Sequence, residues 1–199
     1  MLEPLHRRHH RDLWESAQGD EASFGFLGAG PFGTQAEMGA WLDGLAAAHD
    51  PMVWAVRAVS SGRVRGIAGL SAIRAAEGTI EVGPLWFGAD LRRTRAGSEV
   101  FFLLLRLVFD ELGYRRVGWR CDPRNGPACA AAERLGFLRE GLLRELVVLN
   151  GAAADVACYG LLSSDWPALR NGLLIWMSAD NSAEDGTAIR SLADCISGF

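Results

Sequence analysis

Apolar positions along the chain repeat in two ways. Short runs that alternate with polar residues, or stay apolar between Gly, Pro and Asn, predict strands over residues 52–59, 64–73, 79–87, 115–121, 137–149 and 152–162. A short extended piece ending at Leu5 precedes them. Apolar residues spaced three and four apart predict helices over residues 6–17 and 35–48, the latter carrying Met38, Trp41, Leu42 and Leu45 on one face. A longer apolar helix is predicted over 99–112 and closed by Gly113. An Ala-rich helix with Pro127 in its first turn ends at Gly136, and Ser163-Ser-Asp-Trp-Pro opens a last helical stretch.

The connections set the architecture. Ser60-Ser-Gly-Arg63 and Ala76-Glu-Gly78 are tight turns that make the first three long strands an antiparallel meander, and Asn150-Gly151 makes a hairpin of the last two. With helices interleaved, the order predicts an α/β protein with a mixed, mostly antiparallel central sheet flanked by helices. Pro84 has no N–H to donate to a ladder, so the strand that contains it is expected to bulge or splay there, leaving backbone groups to pair with something extended.

The 59 residues from Thr79 to Phe137 organise the rest, and their centre is the turn Leu91-Arg-Arg-Thr-Arg-Ala-Gly-Ser98. A strand that enters an Arg-rich turn and then a helix aims free N–H groups and the positive end of the helix dipole at one spot, which suits a phosphate. The dipole is worth only ~0.3–1 kcal/mol, against roughly 1.5–3 for a hydrogen bond from a charged group, so Arg92, Arg93 and Arg95 matter more than the dipole. Gly97 would let the backbone approach closely. On spacing alone, a solvated arginine loop fits equally well.

Composition narrows the classes. With 199 residues and 49% apolar content, one domain with a full core is expected. A net charge of −4 argues against a nucleic-acid partner. The 20 basic residues are all Arg, so no lysine amine is available for self-modification. Cys121, Cys129, Cys158 and Cys195 form neither a CxxC pair nor a metal spacing, which suits a reduced cytoplasmic protein. The apolar run 100–105 is far short of the ~20 residues of a membrane span, and the N-terminus lacks a signal-peptide core. No membrane association is expected.

Two motifs read as decoys. His6, His9 and His10 have helical spacing for one face, yet no acidic or Cys partner follows them, and no metal is expected. Gly28-Ala-Gly-Pro-Phe-Gly33 spells GxGxxG without a preceding strand and with Pro31 inside, so it reads as a mobile loop beside a substrate cleft, not a dinucleotide fingerprint. Trp54, Trp86 and Trp119 read as core or as an acceptor pocket.

Ile80-Glu-Val-Gly, Leu91-Arg-Arg-Thr-Arg-Ala-Gly-Ser-Glu99, Cys121-Asp-Pro-Arg-Asn125 and Ala131-Ala-Glu-Arg-Leu-Gly-Phe137 together resemble the GCN5-related N-acetyltransferases (GNAT), and more narrowly the branch of the ribosomal-protein acetyltransferases RimJ and RimL. The resemblance continues to Asp165-Trp-Pro167, implying a GNAT domain over residues 1–170 and a C-terminal extension over 171–199 that packs on the domain or on a partner subunit, as in a homodimer. It implies acetyl-CoA as cosubstrate. The pyrophosphate would lie on Arg92, Arg93, Thr94, Arg95, Ala96 and Gly97, the pantetheine along Leu85, Trp86 and Phe87, and Asn125 would touch the cofactor arm. An amine acceptor, a small molecule or a protein N-terminus, would attack the thioester directly. Four positions depart from the pattern: Arg95 stands where the family's loop usually has Gly, Ala132 where many relatives have an acid Tyr, and Ala128 and Val147 where RimL-like enzymes have Ser and Glu. Glu81 is left as the candidate base, acting through a water, or as a carboxylate paired with a nearby arginine. Without the usual acid and base, a binding-only member that senses CoA or an amine is the alternative.

Overall fold

The computed structural model describes residues 1–183 and 187–196. Seven strands form one sheet: β1 (Leu2–Pro4), β2 (Met52–Arg57), β3 (Val64–Arg74), β4 (Thr79–Phe87), β5 (Arg116–Cys121), β6 (Leu138–Leu149) and β7 (Ala152–Leu162). Their order is β1-β2-β3-β4-β5-β7-β6. Every neighbouring pair is antiparallel except β4 and β5.

Among the described residues six α-helices flank the sheet: α1 (His10–Ala17), α2 (Gln35–Ala47), α3 (Arg95–Arg106), α4 (Gly126–Arg134), α5 (Trp166–Met177) and α6 (Leu192–Ile196). On one face Leu13 of α1 and Met38 and Leu42 of α2 pack with Ala55, Ile67 and Trp86. On the other, Val100, Leu104 and Leu105 of α3 pack with Ala68, Leu70, Val82, Val117 and Leu135. Fully burying each such side chain contributes about 1.5–3 kcal/mol, which is why α3, so poorly charged, has no stable place except against the sheet.

The strands match their predicted positions to within two residues, apart from the helix that organises them. It begins at Arg95, not Glu99, because Thr94 is its N-cap: the Thr94 hydroxyl accepts from the Gly97 N–H at 3.0 Å and donates to the Leu91 carbonyl at 2.7 Å. The α-helical pattern ends at Arg106, and Leu107–Glu111 forms a wider π-turn before Gly113.

Other features are local. The histidines diverge: His6 caps the turn Arg7–His9, His9 is buried against Glu3, and His10 faces Asp43 at 3.4 Å. The glycine loop 28–33 is held, not loose. Phe24 before it stacks on Trp86 (5.2 Å), and Phe32 within it packs on Phe24 (5.5 Å) and Trp41 (5.2 Å). Residue 170 falls inside α5, whose Leu169 and Leu173 both sit in the core. Beyond it, α6 buries Leu192 and Cys195 on the same chain. Among the described residues no helix is long and apolar enough to cross a membrane.

Candidate active site

β4 begins in register with β5, Thr79 to Val82 facing Arg116 to Trp119. The two strands then part. Between Val82, opposite Leu70, and Leu85, opposite Ala68, β4 has one residue more than β3, which is a β-bulge at Gly83-Pro84. Gly83 takes a φ of 143°, and Gly69 across from it has no room for a Cβ, which would lie 2.9 Å from the Pro84 ring. The extra residue also shifts the phase of the strand. Ile80 and Val82 point to the α3 face before the bulge, and Leu85 and Phe87 point there after it. Leu85 to Phe87 pair only with β3, while Arg120 and Cys121 pair only with β7. Between them two strand edges keep unpaired backbone groups, as Pro84 predicted.

The arginine turn follows β4 and leads into α3. Leu91 is its buried anchor, and the amides of Leu91 and Arg92 donate to the Gly88 carbonyl. Arg93 adopts φ 60°. The amides of Arg95 and Ala96, in the first turn of α3, meet no acceptor among the described residues, as a helix start requires unless a ligand supplies one. The three arginines part company. Arg92 pairs with Asp20 at 2.5 Å. Arg93 is exposed and has no partner among the described residues. Arg95 turns its guanidinium to the C-terminal segment, donating to the carbonyls of Trp176 (3.0 Å) and Asn181 (2.7 Å) and to the Ser182 hydroxyl, with the Trp176 ring 5.5 Å beneath it. Gly97 also has an internal reason, since a Cβ there would sit 2.6 Å from the Leu91 carbonyl. Its closeness is to the protein's own turn.

Asn125 caps α4, accepting from the Ala128 N–H at 3.2 Å. Asp122 and Arg124 in the same turn pair at 2.6 Å, and this hydrogen bond holds the Asp122 carboxyl below its usual range. Glu81 lies on the face opposite α3, in an ion pair with Arg120 at 2.8 Å, and packs over Gly118. On that same face Trp86 donates its indole N–H to Ser23 at 2.9 Å, and the β6-β7 hairpin tip touches the loop after it, Asn150 donating to the Gly25 carbonyl at 3.1 Å. Trp119 is core, stacked on Phe101 at 5.2 Å. Among the described residues no cluster of three or more His, Cys, Asp or Glu could hold a metal.

Sequence reasoning missed three contacts: Arg95 with the tail, the aromatic stack that seats loop 28–33, and the approach of Cys121 to Cys129. None of the three had a local signal: Thr94 marks where α3 starts, but the partners of Arg95 lie more than 80 residues downstream.

The sequence matches the family model for the acetyltransferase (GNAT) domain over residues 1–138. It is 34% identical over 69 residues to the SPbeta prophage-derived uncharacterized N-acetyltransferase YokL of Bacillus subtilis (strain 168), a match covering 35% of this chain and 39% of that one. The chain spans between about a third and a half of the length of the curated relatives it matches. A crystal structure of a GCN5-related N-acetyltransferase from Brucella melitensis superposes with a TM-score of 0.96 at 37% identity, covering 98% of this chain and 90% of that one. Spermidine N-acetyltransferase from Vibrio cholerae, solved with CoA and spermine, has the same fold at a TM-score of 0.67 and 18% identity, over 82% of this chain and 95% of that one.

Proposed function

We propose, since the chain belongs to the GNAT acetyltransferase family, that it transfers an acetyl group from acetyl-CoA directly to a primary amine, with an α-amino group of a protein, peptide or small metabolite as acceptor. The observation that carries this reading is the parting of β4 from β5 at Gly83-Pro84, with the strand running on into a helix start whose first amides and Arg93 have no partner among the described residues. The free edge at Leu85 to Phe87 suits the amides of an extended pantetheine, and the Arg93 turn suits a pyrophosphate. Acetyl-CoA brings a reactive thioester. The chain's own residues hold and orient it, and positioning supplies a large share of such a rate.

Proton handling selects the acceptor. At pH 7 removing the proton of a lysine-type amine costs ~4–5 kcal/mol, and that of an α-amine only about 1. Ala132 and Ala128 offer no acid or hydroxyl, and Glu81 is engaged by Arg120. A site of this kind favours the less basic amine, with Glu81 accepting the proton through a water once Arg120 shifts. That preference, rather than the fold, is our ground for a RimJ/RimL-like acceptor.

The Glu81–Arg120 pair also favours a second reading, a member that binds CoA without turnover. Thiol release from acetyl-CoA against α-amino peptides, polyamines and aminoglycosides, beside calorimetric titration of CoA, separates the two. Turnover on α-amino peptides lost in Glu81→Gln supports the enzyme. CoA binding without turnover on the whole panel supports the binding module, and no CoA binding overturns both.

A further inference from the structure

Cys121 ends β5 and Cys129 sits in the first turns of α4, and their sulfurs lie 3.6 Å apart. Both thiols are free and both are partly exposed. The other two cysteines are placed differently: Cys195 is buried under α5, and the Cys158 sulfur donates to the Val156 carbonyl at 3.9 Å. A disulfide needs its sulfurs about 2.05 Å apart, so Cys121 and Cys129 would each move by less than about 1 Å. The residues between them are already folded back: Asp122 pairs with Arg124, the Asn125 N–H donates to the Asp122 carbonyl at 2.9 Å, and Asn125 caps α4. Ring closure therefore orders nothing new.

We propose that Cys121 and Cys129 form an oxidation site at which a low-molecular-weight disulfide closes an intrachain disulfide between β5 and α4. The Cys129 thiolate attacks one sulfur of the oxidant, and one thiolate leaves. The Cys121 thiol then gives up its proton and attacks the Cys129 sulfur of the mixed disulfide, expelling the second thiolate. The two protein thiols lose two electrons and two protons, and the oxidant becomes two thiols. Burial, with the Cys129 thiol beside it, raises the Cys121 thiol, so Cys129 is taken as the first nucleophile. Closure of the same 3.6 Å pair follows whichever sulfur attacks first.

This inference does not depend on the proposed activity, and its readout is mass. The full chain, reduced and then placed in excess oxidised glutathione at neutral pH, is analysed intact and as peptides. The expected result is loss of two hydrogens, one cross-linked pair containing Cys121 and Cys129, and Cys158 and Cys195 still open to alkylation after unfolding. Cys121→Ser is expected to keep one glutathione on Cys129. Persistent glutathione on wild-type Cys129, a cross-link through Cys158 or Cys195, or no modification of Cys121 and Cys129 would each overturn the proposal. The wild-type measurement stands even if a variant fails to fold.

Discussion

Two strand-to-helix turns leave the C-terminal ends of the parallel pair, and they are built on one plan. After β4, Thr94 caps α3 through the Gly97 N–H; after β5, Asn125 caps α4 through the Ala128 N–H. Each starts a helix just past the end of one of the two parting strands. Their charge differs. The β5-α4 turn neutralises itself, Asp122 holding Arg124, whereas in the β4-α3 turn Arg92 pairs with Asp20 and Arg93 has no partner among the described residues. Backbone shape alone thus makes two candidate anion sites, and the leftover charge selects one. Asp122 would repel a phosphate from the other.

The sharpest break in this parallel lies in the glycines. A Cβ at Gly97 would overlap the Leu91 carbonyl, which belongs to rigid backbone, while one at Gly126 meets nothing within 4 Å. Gly97→Val is expected to cost about 3 kcal/mol or more, since the start of α3 must move out of the turn. Gly126→Ala should stay within about 0.5 kcal/mol. Denaturant midpoints of the two variants check both, and equal losses would mean that the turns are equally tight.

Next in size is the arginine contrast, which tests function directly. Arg93→Ala should weaken CoA about 10- to 150-fold, the equivalent of the roughly 1.5–3 kcal/mol of a hydrogen bond from a charged group, with little change in melting temperature. Arg124→Ala should leave CoA affinity within about twofold. Calorimetric titration of both variants decides it. The reverse pattern would move the pyrophosphate to the α4 turn.

Much of this frame is legible in the sequence because its signals are local. Asn150-Gly151, Gly78 and Pro84 punctuate the strands where the chain itself turns or bulges, so the meander, the last hairpin and the splay follow from neighbours a few residues apart. The fate of Arg95 does not. Its acceptors on Trp176, Asn181 and Ser182 lie more than 80 residues downstream, and nothing in the turn announces them. Glu81 was readable only as two alternatives, because Arg120 reaches it through strand register, a property of the pair and not of either segment. The glycine loop misleads for the same reason: Phe24 and Phe32 anchor it to Trp86 and Trp41, which no local pattern connects.

The caps should be close to equal. Thr94→Ala and Asn125→Ala are each expected to cost about 1 kcal/mol by thermal or urea unfolding, and Thr94→Ser should recover most of the loss. A much larger loss at Thr94 would show that its hydroxyl, which also donates to the Leu91 carbonyl, ties the turn together as well as capping the helix.

The smallest effect is electrostatic and belongs to the neutralised turn. Arg124 holds the Asp122 carboxyl below its usual range in the folded chain. A depressed carboxylate adds stability that is fully present above the unfolded value of ~3.9 and is lost as pH falls through the lower folded value. The Arg124 side chain is 69% exposed, so solvent screens the pair and the contribution should stay below about 1 kcal/mol. As pH is lowered from about 6 through the ordinary carboxylate range, Asp122→Asn should lose less stability than the parent, and Arg124→Ala should narrow the difference in the same direction. High salt should shrink both effects. The turn that carries Arg93 has Asp20 as its acidic partner, and Asp20→Asn offers the matching test: removing that carboxylate leaves Arg92 without its partner and makes the turn more positive, so CoA should bind more tightly, while the same change at Asp122 should leave CoA affinity unaltered.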